Sequence, residues 1–189
     1  MVPPVAMIGI IERGNKGYYN PALSLQGQSL MRETLLRYRN ELHLTGELTL
    51  PDSLTYQRLV QQLYRTLDVV EQQRFITSYH LPTLDSLLKQ QGSRYALLTT
   101  TEGFTRVGGN YGNQVAKAVG VGILTLGLYS PVPIKANSGI ALLVYDCENR
   151  SILYYKRAWP KEVEPLDALV LDRQLRAMLA KDFRFAPRP

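Results

Sequence analysis

The chain has 189 residues, 45% of them hydrophobic and 20% charged, which suits one folded domain with a core of its own. Its single cysteine, Cys147, excludes an internal disulfide framework and any multi-cysteine metal site, and its two histidines, His43 and His80, leave little material for zinc. The net charge of +6 falls mostly in the second half, scattered and never run into a block, so no charged tail is implied.

Val5 to Ile11, V-A-M-I-G-I-I, follows Pro3-Pro4 and is nearly all apolar, so a buried strand is expected there. The turn-rich residues 13–21 are expected to be a loop. From about Ser24 to Glu41 the spacing of Leu30, Thr34, Leu35, Tyr38 and Leu42 predicts a helix, with Arg32, Arg37 and Arg39 facing elsewhere. Leu48 and Leu50 suggest a short edge strand. A longer helix is expected from about Ser53 to Phe75, with Tyr56, Leu59, Val60, Leu63, Leu67 and Val70 as its apolar stripe and Asp52 or Ser53 as its cap. Leu81 to Gln91 reads as a third helix, with Pro82 in its first turn and Gly92 just past its end.

Tyr95 to Thr101 is a predicted strand that can run on through Val107. Ile140–Asp146 and Ser151–Ala158 read as strands joined by a turn at residues 147–150, so the strands of this half are largely antiparallel. Pro165 to about Phe183 is the last helix, with Asp167 near its start and Ala168, Leu171, Leu175, Met178 and Leu179 turned inward. The order implies one α/β domain over residues 1–189. It is a sandwich of a mixed three- to five-stranded sheet with flanking helices, carrying a Gly-rich apolar insert at 108–135.

The opening strand, the helix–Gly–strand run from Leu84 to Thr99, and the strand–turn–strand–helix run from Ala141 to Phe183 resemble one group of bacterial envelope lipoproteins. The group includes the curli-secretion-channel subunits, the penicillin-binding-protein activators and the amino-terminal domain of the Tol system's propeller protein. The segment Thr125-Leu126-Gly127-Leu128-Tyr129-Ser130-Pro131-Val132-Pro133 is closer still to lipoproteins of Bacteroidetes-type bacteria. The long helix in 42–80 has no counterpart in the channel subunits. The resemblance implies a non-enzymatic, periplasmic, outer-membrane-associated domain that binds another envelope protein or a second copy of itself. Membrane association would come from a lipid anchor on a cysteine ahead of Met1, preceded by a signal segment that is removed.

The insert is the most informative stretch. Val115 to Leu128 is apolar but too short to span a bilayer as a helix, and Lys117 interrupts it. Gly120, Gly122 and Gly127 would each weaken a helix by about 1 kcal/mol. One reading is a buried Gly-rich helix or loop over the sheet. The sharper reading is a surface that packs on another subunit or dips into lipid, through Val115, Val119, Val121, Ile123, Leu124, Leu126 and Leu128. Lys156, Arg157 and Trp159 join it as a basic–aromatic set, with Tyr154 and Lys156 on one strand face and Tyr155 and Arg157 on the other.

An alternative from another class is a small enzyme or nucleotide- or anion-binding module that uses Gly108-Gly109-Asn110-Tyr111-Gly112, since bare amides before a helix attract anions. No Gly-Lys-Ser/Thr follows that loop. Glu102 and Asp146 are a candidate carboxylate pair on neighbouring strands. His43, His80 and Cys147 form no legible catalytic grouping. No cofactor, no metal and no nucleic-acid partner are expected.

Overall fold

The computed structural model describes residues 1–72, 79–126, 133–160 and 162–182. The elements are β1 (Val5–Ile11), β2 (Gly17–Tyr19), α1 (Pro21–Arg37), α2 (Ser53–Gln72), α3 (Pro82–Gln90), β3 (Tyr95–Arg106), α4 (Asn110–Leu124), β4 (Asn137–Asp146), β5 (Ser151–Ala158) and α5 (Ala168–Leu179). The strands form one sheet in the order β2-β1-β3-β4-β5. β1 and β3 are parallel, and helices α1 to α3 make the crossover between them. Every other neighbouring pair is antiparallel. The fold is the expected α/β sandwich around a mixed sheet.

Alternation along β4 explains the two cores. Ile140 and Leu142 point to one face, where they meet Met31 and Leu35 of α1 and Leu171, Leu175 and Leu179 of α5. Ala141, Leu143 and Tyr145 point to the other face and meet Leu59, Leu63 and Leu67 of α2 with Leu84, Leu87 and Leu88 of α3. A central strand buried on both sides is therefore a continuous apolar run, as residues 140–145 are.

Polar bonds fix the helices on the sheet. Asp52 Oδ1 accepts from the Thr55 amide at the start of α2, and Asp167 Oδ1 accepts from Leu169 and Val170 at the start of α5. Buried Tyr145 donates its hydroxyl to Asp85 Oδ1 of α3 at 2.8 Å, and buried Tyr38 donates to Asp172 Oδ1 of α5 at 2.8 Å. Each bond satisfies a carboxylate that burial would otherwise penalise.

The expected elements hold with shifted ends. α1 starts at Pro21, capped by the Asn20 side chain, and its regular turns end at Arg37. Phe75 and Phe183, the expected helix ends, lie outside the described residues. Two expectations are corrected. Residues 13–21 are not one loop: the turn residues close a β-hairpin, with left-handed Gly14 and Asn15 at its tip, and Gly17–Tyr19 pairs with β1. Residues 48–50 are not a strand. Gln91 instead holds that stretch by its side chain, accepting from the Thr49 amide and donating to the Thr49 carbonyl.

Candidate interaction surface at helix α4

β3 ends beside β1, and the chain must then turn out of the sheet. Gly109 makes the turn in the left-handed conformation (φ 78°), which a side chain would resist. Asn110 follows, only 2% exposed, and its side-chain amide donates to the carbonyls of Ile11 and Glu12. This staple fastens the first turn of α4 to the end of β1. From there Gln114, Ala118 and Val121, spaced four and three apart, lean on a cleft shared with Asn15, Phe104, Arg106, Pro133 and Ile134. Of these helix residues Ala118 is buried, while Gln114 and Val121 are half-buried, as is Val115 beside them.

Val119 and Ile123 lie on the side of α4 turned away from that cleft, and Leu124 at the tip and Leu126 just past it are exposed as well. Val119 is 55% exposed, Ile123 71%, Leu124 85% and Leu126 92%. A helix apolar on both faces is ordinarily buried on both, so its outward stripe suits an environment other than bulk water. The 110–124 segment is thus a helix, as one of the two readings of the insert had it, but not a buried one. Leu128 lies outside the described residues.

The charge around α4 is mainly positive. From Gly103 to Tyr145 the chain contains no Asp or Glu, while Arg106, Lys117 and Lys135 fall within it. The neighbouring β1–β2 turn adds exposed Arg13 and Lys16 against Glu12. Arg106 is held in place by neutral acceptors, the Ile134 carbonyl at 2.7 Å and Asn15 Oδ1 at 2.8 Å. None of these five cations pairs with a carboxylate among the described residues.

Arg157 and Trp159 line a neighbouring recess, and Phe104 borders both; Lys156 lies on the other face of β5. As the alternation required, Tyr154 and Lys156 face α5, where both reach Asp182 at 3.0 Å, and Tyr155 and Arg157 face α2, where both bond Glu71. Arg157 also lies 3.2 Å from Glu102 and stacks on the Trp159 ring at 4.5 Å. Burial pushes the Glu102 carboxyl above its ordinary range, against the pull of Arg157. Trp159 fits because residue 139 is glycine: a Cβ there would stand 2.5 Å from the ring. These cations are therefore engaged within the domain, unlike those around α4.

The other candidates are dispersed. Glu102 and Asp146 do not form a carboxylate pair, because the register sets Glu102 opposite Gly139 and Asp146 opposite Tyr95, at different ends of β3. Asp146 is bound by Arg94 and by the amides of Glu148 and Asn149, which hold its carboxyl down at about 2 despite burial. His80 lies 3.0 Å from Asp85, and Cys147 is buried in the hairpin turn, with burial raising its thiol pKa. Gly108 to Gly112 make the β3–α4 junction, whose asparagine is turned toward β1 rather than outward. No group of three or more His, Cys, Asp or Glu among the described residues is placed to hold a metal.

Phe104 and Arg106 were not among the candidate residues read from the sequence, and Asn110 was read there as part of an anion-binding loop rather than as a staple to β1. The absence of acids from 103 to 145 was the available signal, and it is visible only when charges are counted by segment rather than by halves. Comparison with family models, curated proteins and solved structures finds no match.

Proposed function

We propose that this chain is a non-enzymatic interaction domain of the bacterial envelope, which works by contact through α4 rather than by turning over a substrate. The observation that carries this reading is the exposed apolar set of Val119, Ile123 and Leu124 on a helix stapled to a closed core, with Leu126 just past its end. The likeness of residues 5–11, 84–99 and 141–183 to envelope lipoprotein domains supports the location on the periplasmic side of the envelope. In that setting α4 meets another envelope protein, a second copy or the membrane surface, and a lipid anchor outside this chain adds to the attachment.

Sedimentation with washed bacterial envelope fragments tests the reading. The chain is expected to pellet with the fragments, and the double substitution Ile123→Asp/Leu124→Asp is expected to leave it in solution. Equal partition of both proteins would remove α4 as the contact. Turnover of a nucleotide or ester substrate that survives the double substitution would favour an enzyme.

A further inference from the structure

We infer that α4 docks on an anionic phospholipid surface, with Ile123, Leu124 and Leu126 entering the headgroup boundary and Arg13, Lys16, Arg106, Lys117 and Lys135 facing the lipid phosphates. The inference rests on the reading of α4 as a contact element and names what it contacts.

Three observations choose the bilayer. The first is shape. The exposed apolar side chains occupy the distal end of the helix and the residue just past it, while Asn110 fixes the proximal end to β1. A rigid finger with a greasy tip suits shallow insertion. A helix of 15 residues is about 22 Å long, and no helix among the described residues is long and apolar enough to cross a membrane. It can therefore lie in or dip into an interface without spanning it.

The second is charge complementarity. Basic groups beside an apolar helix face are the combination that anionic headgroups attract. Here the acid-free stretch from Gly103 to Tyr145 keeps carboxylates off the helix itself, and the five cations on the segments that frame it outnumber the nearby acids, Glu12 and Glu162. Lys117 is exposed at the rim of the cleft that Ala118 and Val121 line, on the side of the helix that runs on to Leu124, so its long side chain can reach along the helix toward a phosphate at the tip.

The third is the contrast with Lys156 and Arg157. Those two cations are neutralised by Asp182, Glu71 and Glu102, whereas the α4 group has no carboxylate partner among the described residues. The domain thus leaves its cations uncompensated at the apolar finger.

The test is co-sedimentation of the purified chain with vesicles of phosphatidylglycerol and phosphatidylcholine, against vesicles of phosphatidylcholine alone. Binding to the anionic vesicles is expected to exceed binding to neutral ones about tenfold or more, and to weaken several-fold between 0.1 and 0.5 M salt as the Debye length contracts from about 10 Å. Ile123→Asp/Leu124→Asp is expected to abolish binding, and Lys117→Glu/Lys135→Glu to lower it at least about tenfold. Because all four positions are exposed or nearly so, circular dichroism should be unchanged; Leu126→Asp, outside the helix, is the second check. Equal binding to neutral and anionic vesicles would overturn the inference, as would binding that the variants leave intact. Failure on vesicles with α4-dependent pelleting on envelope fragments would overturn the lipid but keep the contact role. A dimer by light scattering that Ile123→Asp/Leu124→Asp dissolves, without vesicle binding, would assign α4 to a second copy instead.

Discussion

Two apolar segments behave oppositely in this molecule. Residues 137–146 form β4, paired on both edges and covered on both faces, and Leu143 and Tyr145 reach zero exposure. Residues 110–124 form α4, stapled at its start and seated along one side, with its other side and its tip open among the described residues and Leu124 at 85% exposure. Apolar composition alone does not separate them. What separates them is whether the topology supplies a partner layer. β4 sits between α1–α5 and α2–α3, while α4 leaves the sheet past the end of β3, where no further layer follows among the described residues. The folding energy should therefore come from the first segment, and the contact with other molecules from the second.

Core truncation gives the largest expected effect. Leu143→Ala removes a fully buried side chain between α2, α3 and the sheet and should cost about 2–5 kcal/mol in denaturant unfolding. Leu124→Ala should change stability by less than about 0.5 kcal/mol. Comparable losses at the two sites would erase the contrast.

The buried polar ties come next. Tyr38→Phe leaves the Asp172 carboxylate without its 2.8 Å hydroxyl donor and should cost about 1–3 kcal/mol by the same measurement. Acid unfolding sharpens the comparison further. The Asp146 carboxyl is held below its ordinary value, at about 2, so it binds its proton more weakly folded than unfolded. Its stabilising contribution is complete above the ordinary carboxylate range and fades as pH falls from about 4 through about 2. Asp146→Asn should flatten the pH dependence of the melting temperature in that window. No substitution on α4 should change it, since the segment carries no carboxylate.

The smallest effect belongs to α4 itself. A Cβ at Gly120 would meet nothing within 4 Å, so Gly120→Ala should strengthen the helix by up to about 1 kcal/mol. Slower hydrogen exchange confined to α4, with the global unfolding midpoint unmoved, is the expected readout.

The layered fold was legible in the sequence because burial writes a period. The stripes of α2 and α5 repeat every three to four residues, and β4 and β5 are joined by a turn whose chemistry is local. β2 was not legible, since three exposed residues carry no period, and the turn residues around them signal a loop as strongly as a hairpin. The reversal at Gln91, which imitates a strand partner for Thr49, depends on a contact across 42 positions and leaves no local trace. At the candidate surface, the outward residues Val119, Ile123, Leu124 and Leu126 were readable as an apolar run. Their exposure was not, because a run of that kind looks the same whether a layer covers it or not. The internal pairing of Lys156 and Arg157 was hidden for a similar reason: their carboxylate partners sit on α2, on β3 and beyond the end of α5.

The central claim is that α4 stands outside the folding unit and acts as its point of contact. Ile123→Asp/Leu124→Asp tests it most directly when the unfolding midpoint and envelope pelleting are measured on the same preparation. The account predicts an unchanged midpoint and lost pelleting. A lowered midpoint of several degrees with pelleting retained would contradict it, by making α4 a part of the core and not a point of attachment.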